Sequence, residues 1–189
     1  GIGVSGTTSN GGISVTTTAT NVISGVAGWQ TAPNYVGADP ASTDNLERVM
    51  HDIRWSLNPA NLNVDVSGLT AGSMYNVQLL SSENGSTGNR HWDIDVDGVL
   101  AVDDYNTNGP SASLGSVYSG NFDPGVDGIL NIVMGVEPFP LDPNNTAPAG
   151  TDNNPILHAV IIHEVVPEPG SLALLGIGLS AAFLRRRRS

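Results

Sequence analysis

The sequence predicts an all-β protein, a β-sandwich followed by one short C-terminal apolar helix. Three observations predict it. The 189 residues include 23 Gly and 12 Pro, and only 13% are charged, which suits short strands joined by turns better than helices. Several segments alternate apolar and polar residues with the period of a half-buried strand. The end of the chain then changes to an uncharged apolar run closed by four arginines.

The strands are predicted from apolar alternation and from the turn residues between them. The segments that carry the pattern are 49–57, 62–66, 74–80, 91–96, 99–102, 129–134 and 156–165. Asp97-Gly98 predicts a two-residue hairpin turn between two of them. Residues 135–154, rich in Pro, Asn and Asp, are expected to form a long surface loop of the kind that often carries function.

Three parts of the chain are expected. Residues 1–28, rich in Gly, Ser and Thr, form edge strands or are partly disordered; residues 29–165 form the sandwich; residues 166–189 form the C-terminal tail. The length fits one domain with a tail. The chain begins with Gly1, so we expect either that a signal peptide has been removed or that the sequence is a fragment.

Charge and composition exclude several functions. The formal net charge is −11, and Arg48, Arg54 and Arg90 are the only basic side chains, histidines aside, before the four arginines of the tail. So acidic a body repels phosphate backbones, which excludes nucleic acid as a partner. The sequence has no Cys and none of the H-E-x-x-H, G-x-S-x-G or P-loop motifs, so we predict that the protein is not an enzyme.

The tail has three parts in a fixed order. Pro167-Glu168-Pro169 cannot continue a helix or strand, residues 170–184 are uncharged and mostly apolar, and Arg185, Arg186, Arg187 and Arg188 close the run. This run of about 15 residues would measure roughly 22 Å as a helix. A standard transmembrane helix needs about 20 residues, so the run is short for a span. The arginines should stay cytoplasmic. The tail therefore predicts transient anchoring in the inner membrane.

This order resembles the PEP-CTERM sorting domain of exopolysaccharide-producing Gram-negative bacteria. The resemblance implies recognition by an exosortase, processing near Pro167-Glu168-Pro169, and delivery to the cell surface or extracellular matrix. On this interpretation the chain is a substrate, and the tail itself catalyses nothing.

The body also resembles a known family. Residues 68–105, with the runs M-Y-N-V-Q-L-L and R-H-W-D-I-D-V-D-G, are similar to the core of malectin-like domains, and N-P-I-L-H-A-V-I-I-H-E-V is similar to their last strand. The chain departs from the family pattern at Trp92, where Phe is usual, and at Ser81, where an aromatic residue is usual. The resemblance implies a galactose-binding-like jelly roll and a carbohydrate-binding role, with extracellular polysaccharide as the partner.

Four residues are candidates for sugar binding. Tyr35 and Tyr105 lie in or beside loops, where an aromatic face can stack on a sugar ring or can simply cap the end of the sandwich. Glu83 and Arg90 flank a polar loop, and they either contact sugar hydroxyls or form an internal ion pair that holds the loop ends.

An acidic pattern raises the question of calcium. Asp93-x-Asp95-x-Asp97-Gly98, with Asp104 at the twelfth position, has the spacing of an EF-hand loop. The polar, glycine-containing segment before it cannot form the helix that an EF-hand needs, so we predict a strand whose aspartates face away from the core. A calcium site of another kind, using some of Asp95, Asp97, Asp103 or Asp104, stays open.

Three functions follow in order of preference. The first is an exported, non-catalytic sandwich that binds carbohydrate at the cell surface. The second is a structural or adhesive matrix protein that binds no sugar, and the third is a polysaccharide-processing hydrolase.

Overall fold

A computed structural model describes residues 5–23, 39–57, 60–82, 90–106, 116–135 and 154–166. The predicted C-terminal helix, the Pro-Glu-Pro tripeptide and the arginine cluster lie outside these ranges. In the described part of the chain, twelve strands and one helix follow one another. They are β1 Ser5–Asn10, β2 Ile13–Thr18, β3 Asn21–Ile23, α1 Pro40–Val49, β4 Ile53–Trp55, β5 Leu62–Ser67, β6 Tyr75–Ser81, β7 His91–Val96, β8 Val99–Asn106, β9 Ser116–Phe122, β10 Ile129–Gly135, β11 Ile156–Leu157 and β12 Ala159–Glu164.

The strands form one large sheet and two small ones, with every pair antiparallel. The six-stranded sheet has the order β1-β2-β5-β10-β7-β8, and the three-stranded sheets have the orders β11-β4-β3 and β12-β6-β9. Two hydrogen bonds join the small sheets: Ser81 Oγ donates to the Ile156 carbonyl at 2.8 Å, and His158 N donates to the Leu80 carbonyl at 2.9 Å. Ser81 thus has a structural reason to stand where an aromatic residue is usual.

The core lies between the large sheet and the small ones. Alternate residues of β5, β7 and β10 point into it and meet residues of β4, β6 and β11 from the other side. The largest fully buried side chains are Trp92, Ile53, Leu62, Leu79, Ile94, Leu130, Ile132, Met134, Ile156, Val64, Val66 and Val77. This arrangement confirms the predicted all-β sandwich.

The helix α1 was not predicted. It begins after Asp39, whose side chain accepts hydrogen bonds from Ala41 N at 3.2 Å and from Ser42 Oγ at 2.5 Å, with Pro40 in the first turn. These are standard N-terminal signals. The strand predicted over 49–57 is wrong at its start, because the helix continues to Val49 and β4 covers only Ile53–Trp55.

The β7–β8 hairpin was predicted correctly, with one difference. Asp97 and Gly98 form its turn with φ of 53° and 79°. Asp93 and Asp95 lie on the face opposite Trp92 and Ile94, as expected of a strand. Both aspartates are nevertheless buried, with 4% and 3% of their surface exposed, although they face away from the core.

Candidate acidic binding site

A hollow of about 780 Å³ lies against the outer face of the six-stranded sheet, opposite the core. Its lining combines aspartates and asparagines with apolar residues such as Ile129 and Val133. We call it the acidic hollow and define it by six side chains, Asn61, Asp95, Asp97, Asp123, Asp127 and Asn131. Pockets that hold small ligands have volumes of about 300–1,000 Å³, so the hollow has the size of a ligand site.

These residues are far apart in the sequence and lie close together because their strands are neighbours in the sheet. Asn61 directly precedes β5, Asn131 lies on β10, and Asp95 lies on β7, and these three strands are neighbours in the sheet. Val133 of β10 stands opposite Asp95 on one side and Asn63 on the other. Residues 123–128, between β9 and β10, supply the remaining two carboxylates.

Each of the four carboxylates is fixed through one oxygen. In every case Oδ1 accepts a backbone N–H, and no other hydrogen bond or ion pair from the described residues reaches Oδ2. The donors are Gly98 N to Asp95 at 2.7 Å, Asn131 N to Asp97 at 2.8 Å, Gly125 N to Asp123 at 2.9 Å and Ile129 N to Asp127 at 3.2 Å. Four carboxylate oxygens are therefore left without a hydrogen bond from the described residues, and the Asp95 oxygen among them is buried.

Two acceptor atoms of the hollow are buried without a hydrogen-bond partner among the described residues. They are Asp95 Oδ2 and Asn61 Oδ1. Gly135 makes room for Asn61, because a side chain at 135 would collide with Oδ1. Buried polar atoms are nearly always hydrogen-bonded, so two free acceptors in one hollow indicate a place for a donor or a cation.

The four aspartates predicted to bind calcium fall into two groups. Asp95 and Asp97 belong to the acidic hollow. Asp103 and Asp104 lie instead beside the buried Asp93, with one carboxylate oxygen of each within 4.8 Å of the others. Asp93 Oδ1 also accepts the Asp104 N–H at 2.9 Å, where the chain takes a positive φ of 54°. The four candidates thus lie in two separate places, and calcium binding by some of them stays a prediction.

Of the four candidate sugar-binding residues, the structure describes only Arg90 and Tyr105. Tyr35 and Glu83 lie outside the described residues, so the predicted Glu83–Arg90 ion pair stays a prediction. Arg90 is buried, at 6% exposure, and its Nη1 donates to the Asn154 carbonyl at 3.3 Å. Arg90 therefore holds the start of β11 in place.

Tyr105 belongs to a row of aromatic rings. Its ring lies 5.6 Å from Trp92 and 6.4 Å from Tyr118, and Tyr118 lies 6.5 Å from Phe122. Burial raises the pKa of both tyrosines. The row runs from β7 and β8, the last two strands of the large sheet, to β9, an edge strand of a small sheet, and packs against the core. This placement favours the capping role over a free stacking platform.

Sequence reasoning missed Asn61, Asp123, Asp127 and Asn131. Asp123-Pro-Gly and Asp127-Gly are turn signals, so their aspartates were visible as turn residues. Nothing in the sequence indicated that this turn folds beside β7.

Residues 165–188 match the PEP-CTERM protein-sorting motif. This confirms the resemblance of the tail and implies an exported protein that an exosortase sorts to the cell surface or the extracellular space. A search of curated proteins gives no match. Among the described residues, no helix is long and apolar enough to cross a membrane.

Solved structures share the fold of the body. The ANX2 ectodomain from Arabidopsis thaliana aligns with a TM-score of 0.56 at 11% identity, over 78% of this chain and 40% of that one. The ANXUR1 extracellular domain from Arabidopsis thaliana aligns with a TM-score of 0.55 at 11% identity, over 85% and 40%. The chain thus spans about 40% of these ectodomains. The likeness confirms the malectin-like resemblance at the level of the fold.

Proposed function

We propose that this exported protein is a non-catalytic carbohydrate-binding sandwich, and that the acidic hollow is its binding site. The observation that carries the proposal is the set of four aspartates that each keep one oxygen free while a backbone N–H fixes the other. Sugars present many hydroxyl donors, and carboxylates are acceptors only. A hollow lined by fixed acceptors suits such a ligand.

Calcium is the proposed cofactor of the same hollow. Asp95 Oδ2 and Asn61 Oδ1 are the buried free acceptors, and calcium takes carboxylate and amide oxygens at about 2.3–2.6 Å. These two atoms would supply part of its coordination, and ligand hydroxyls or water the rest. Asp97 also lines the hollow.

Delivery is the part of the proposal that concerns the tail. Before processing, residues 170–184 hold the chain in the inner membrane with the arginines in the cytoplasm, and exosortase then releases the body to the extracellular polysaccharide. Mass spectrometry of the surface-located protein tests this. A mature chain that still ends in Arg185–Ser189 would contradict processing.

Binding is tested by titrating the full chain with oligosaccharides of the producer's own polysaccharide. Asp97→Asn and Asp127→Asn are sharp variants, because the amide carbonyl still accepts the backbone N–H and only the free oxygen is replaced. Loss of a charged hydrogen bond should weaken binding about tenfold or more. The matched control is Asp44→Asn, which makes the same change at an exposed position of α1.

The outcomes separate the candidate functions. Binding that the two hollow variants weaken and the control does not supports the proposal. No binding to any oligosaccharide, with or without calcium, favours a structural or adhesive matrix protein. Release of shortened oligosaccharides would instead show a hydrolase.

A further inference from the structure

A second pocket, chemically opposite to the acidic hollow, lies where the β1–β2 hairpin meets β4 and the β11–β12 junction. Its volume is about 330 Å³. We call it the Arg54 pocket, because Arg54 is the one permanently charged side chain in its lining. Threonines of the hairpin and His158 line it as well.

One nitrogen of the Arg54 guanidinium is buried and unsatisfied. Its Nε is buried and has no hydrogen-bond partner, and no acidic or carbonyl oxygen of the described residues accepts from its terminal nitrogens. Nη2 lies against β1, 3.4 Å from where a Cβ on Gly6 would stand. In the sheet, Arg54 is paired with Val22 on one side and Leu157 on the other, so its backbone is held in place.

Arg54 is half-buried, and a guanidinium N–H enclosed without an acceptor is costly; in proteins such groups pair with carboxylates or phosphates. The chain carries 18 acidic residues, and none in its described part forms an ion pair with Arg54, although the Asp52 charge acts on His158 of the same pocket. The buried Nε therefore has room for an acceptor from outside.

The neighbouring polar groups are also donors. His158 Nδ1 accepts Ser82 N at 3.3 Å, so the hydrogen of the neutral ring is assigned to Nε2. Burial lowers the pKa of His158 to about 4, although the Asp52 charge opposes this shift, so the ring is neutral at ordinary pH. The Thr8 hydroxyl makes no hydrogen bond with the described residues and faces the same pocket.

We infer that the Arg54 pocket binds the carboxylate of an acidic sugar residue in an extracellular polysaccharide. The planar guanidinium matches a carboxylate, and the threonine and histidine donors reach sugar oxygens beside it. A volume of about 330 Å³ is at the low end of ligand pockets, which suits one sugar ring. That the carboxylate belongs to a sugar rests on the proposed function; that the pocket takes a carboxylate does not.

The test compares two disaccharides that differ only at C6 of one ring, one ending in glucuronic acid and the other in glucose. The full chain is titrated with each by calorimetry, and the ¹⁵N–¹H signal of Arg54 Nε is followed by NMR. We expect the acidic disaccharide to bind at least tenfold more tightly and to shift the Arg54 signal. Equal affinity for the two, or binding without that shift, overturns the inference.

Variants separate the charge from the shape of the group. Arg54→Gln should lower the affinity for the acidic disaccharide at least tenfold, and Arg54→Lys should recover only part of it. Arg48→Gln makes the same charge change at an exposed position of α1 and should leave affinity unchanged. Thr8→Val keeps the side-chain shape and should weaken binding severalfold, which keeps the test valid if Arg54→Gln does not fold.

The source of the carboxylate is distinguished by a further arm. If acetate or a peptide with a free C-terminus binds as tightly as the acidic disaccharide in an Arg54-dependent way, a sugar is the wrong assignment. If the acidic disaccharide binds in an Arg54-dependent way while no oligosaccharide shows binding that depends on Asp97 or Asp127, the hollow is the wrong binding site and this inference stands.

Discussion

The acidic hollow and the Arg54 pocket belong to one sandwich and offer a ligand opposite halves of a hydrogen bond. In the hollow, four carboxylates and an amide present acceptors, two of them buried and unpaired. In the pocket, an arginine, a neutral histidine and a threonine hydroxyl present donors.

The difference between the two regions has a simple origin. The hollow uses the turns around β7 and β10, where aspartates are favoured because their side chains accept nearby backbone N–H groups. The pocket uses the edge of the sheet at β1 and a strand arginine. A protein with a net charge of −11 can therefore still hold one site suited to an anion.

The largest effect is expected where both regions depend on the same packing. Ile132 is fully buried on β10, while its neighbour Asn131 lines the hollow. Ile132→Ala should lower the free energy of unfolding by about 2 to 5 kcal/mol and weaken both sites together. Urea unfolding measures this. Val126→Ala, at a fully exposed position, is the control, and a loss of one site without loss of stability would contradict a shared core.

The pH dependence of stability tests the Arg54 pocket, because His158 lines it. The folded pKa of His158, about 4, lies below the ordinary value of 6.5, so between these values the unfolded chain binds the extra proton. The contribution of this group is complete above about pH 6.5 and is lost as the pH falls to about 4, by on the order of 3 kcal/mol.

The comparison for this titration is His158→Asn, whose side-chain oxygen is placed to accept Ser82 N. The difference in urea midpoint between the two proteins isolates the histidine from the many carboxylates. If both proteins lose stability in parallel between pH 6.5 and pH 4, the histidine is not held neutral.

The effect of calcium on the melting temperature tests the acidic hollow. At a concentration about 100-fold above its dissociation constant, calcium should stabilise the protein by about 2.7 kcal/mol, read as a rise of the melting temperature that a chelator reverses. Asp95→Asn should abolish the rise, and Asp103→Asn, in the separate Asp93 group, should retain it. The reverse pattern would move the ion to the Asp93 group.

The smallest effect concerns the seam between the two small sheets, next to the pocket. Ser81 is fully buried, and its hydroxyl donates to the Ile156 carbonyl. Ser81→Ala should cost about 1 to 2 kcal/mol by urea unfolding and loosen the Arg54 pocket more than the hollow. Ser9→Ala, on the exposed outer hairpin, should change stability by less than about 0.5 kcal/mol. Equal losses of unfolding free energy in the two variants would show that the hydrogen bond at the seam does not contribute specially to stability.

The sequence by itself determined the strands whose pattern is local. Alternation predicted β5, β6, β7 and β10, and Asp97-Gly98 predicted the hairpin turn, because side-chain direction and turn geometry depend on adjacent residues. The last strand was predicted as one run, whereas it divides at His158 into β11 and β12, because the two parts pair with different sheets. The sorting tail was equally visible, since its three parts are read in order along the chain.

Only the tertiary structure decided what lies together. Asn61, Asp95 and Asn131 are far apart in sequence and meet because β5, β10 and β7 are neighbours in the sheet. Asp93 and Asp95 face away from the core, as the alternation requires, and yet are buried. Arg54 and Gly6 meet through the packing of the β1–β2 hairpin against β4. Strand order and burial arise from contacts across the whole chain, whereas local alternation fixes only which way each side chain points.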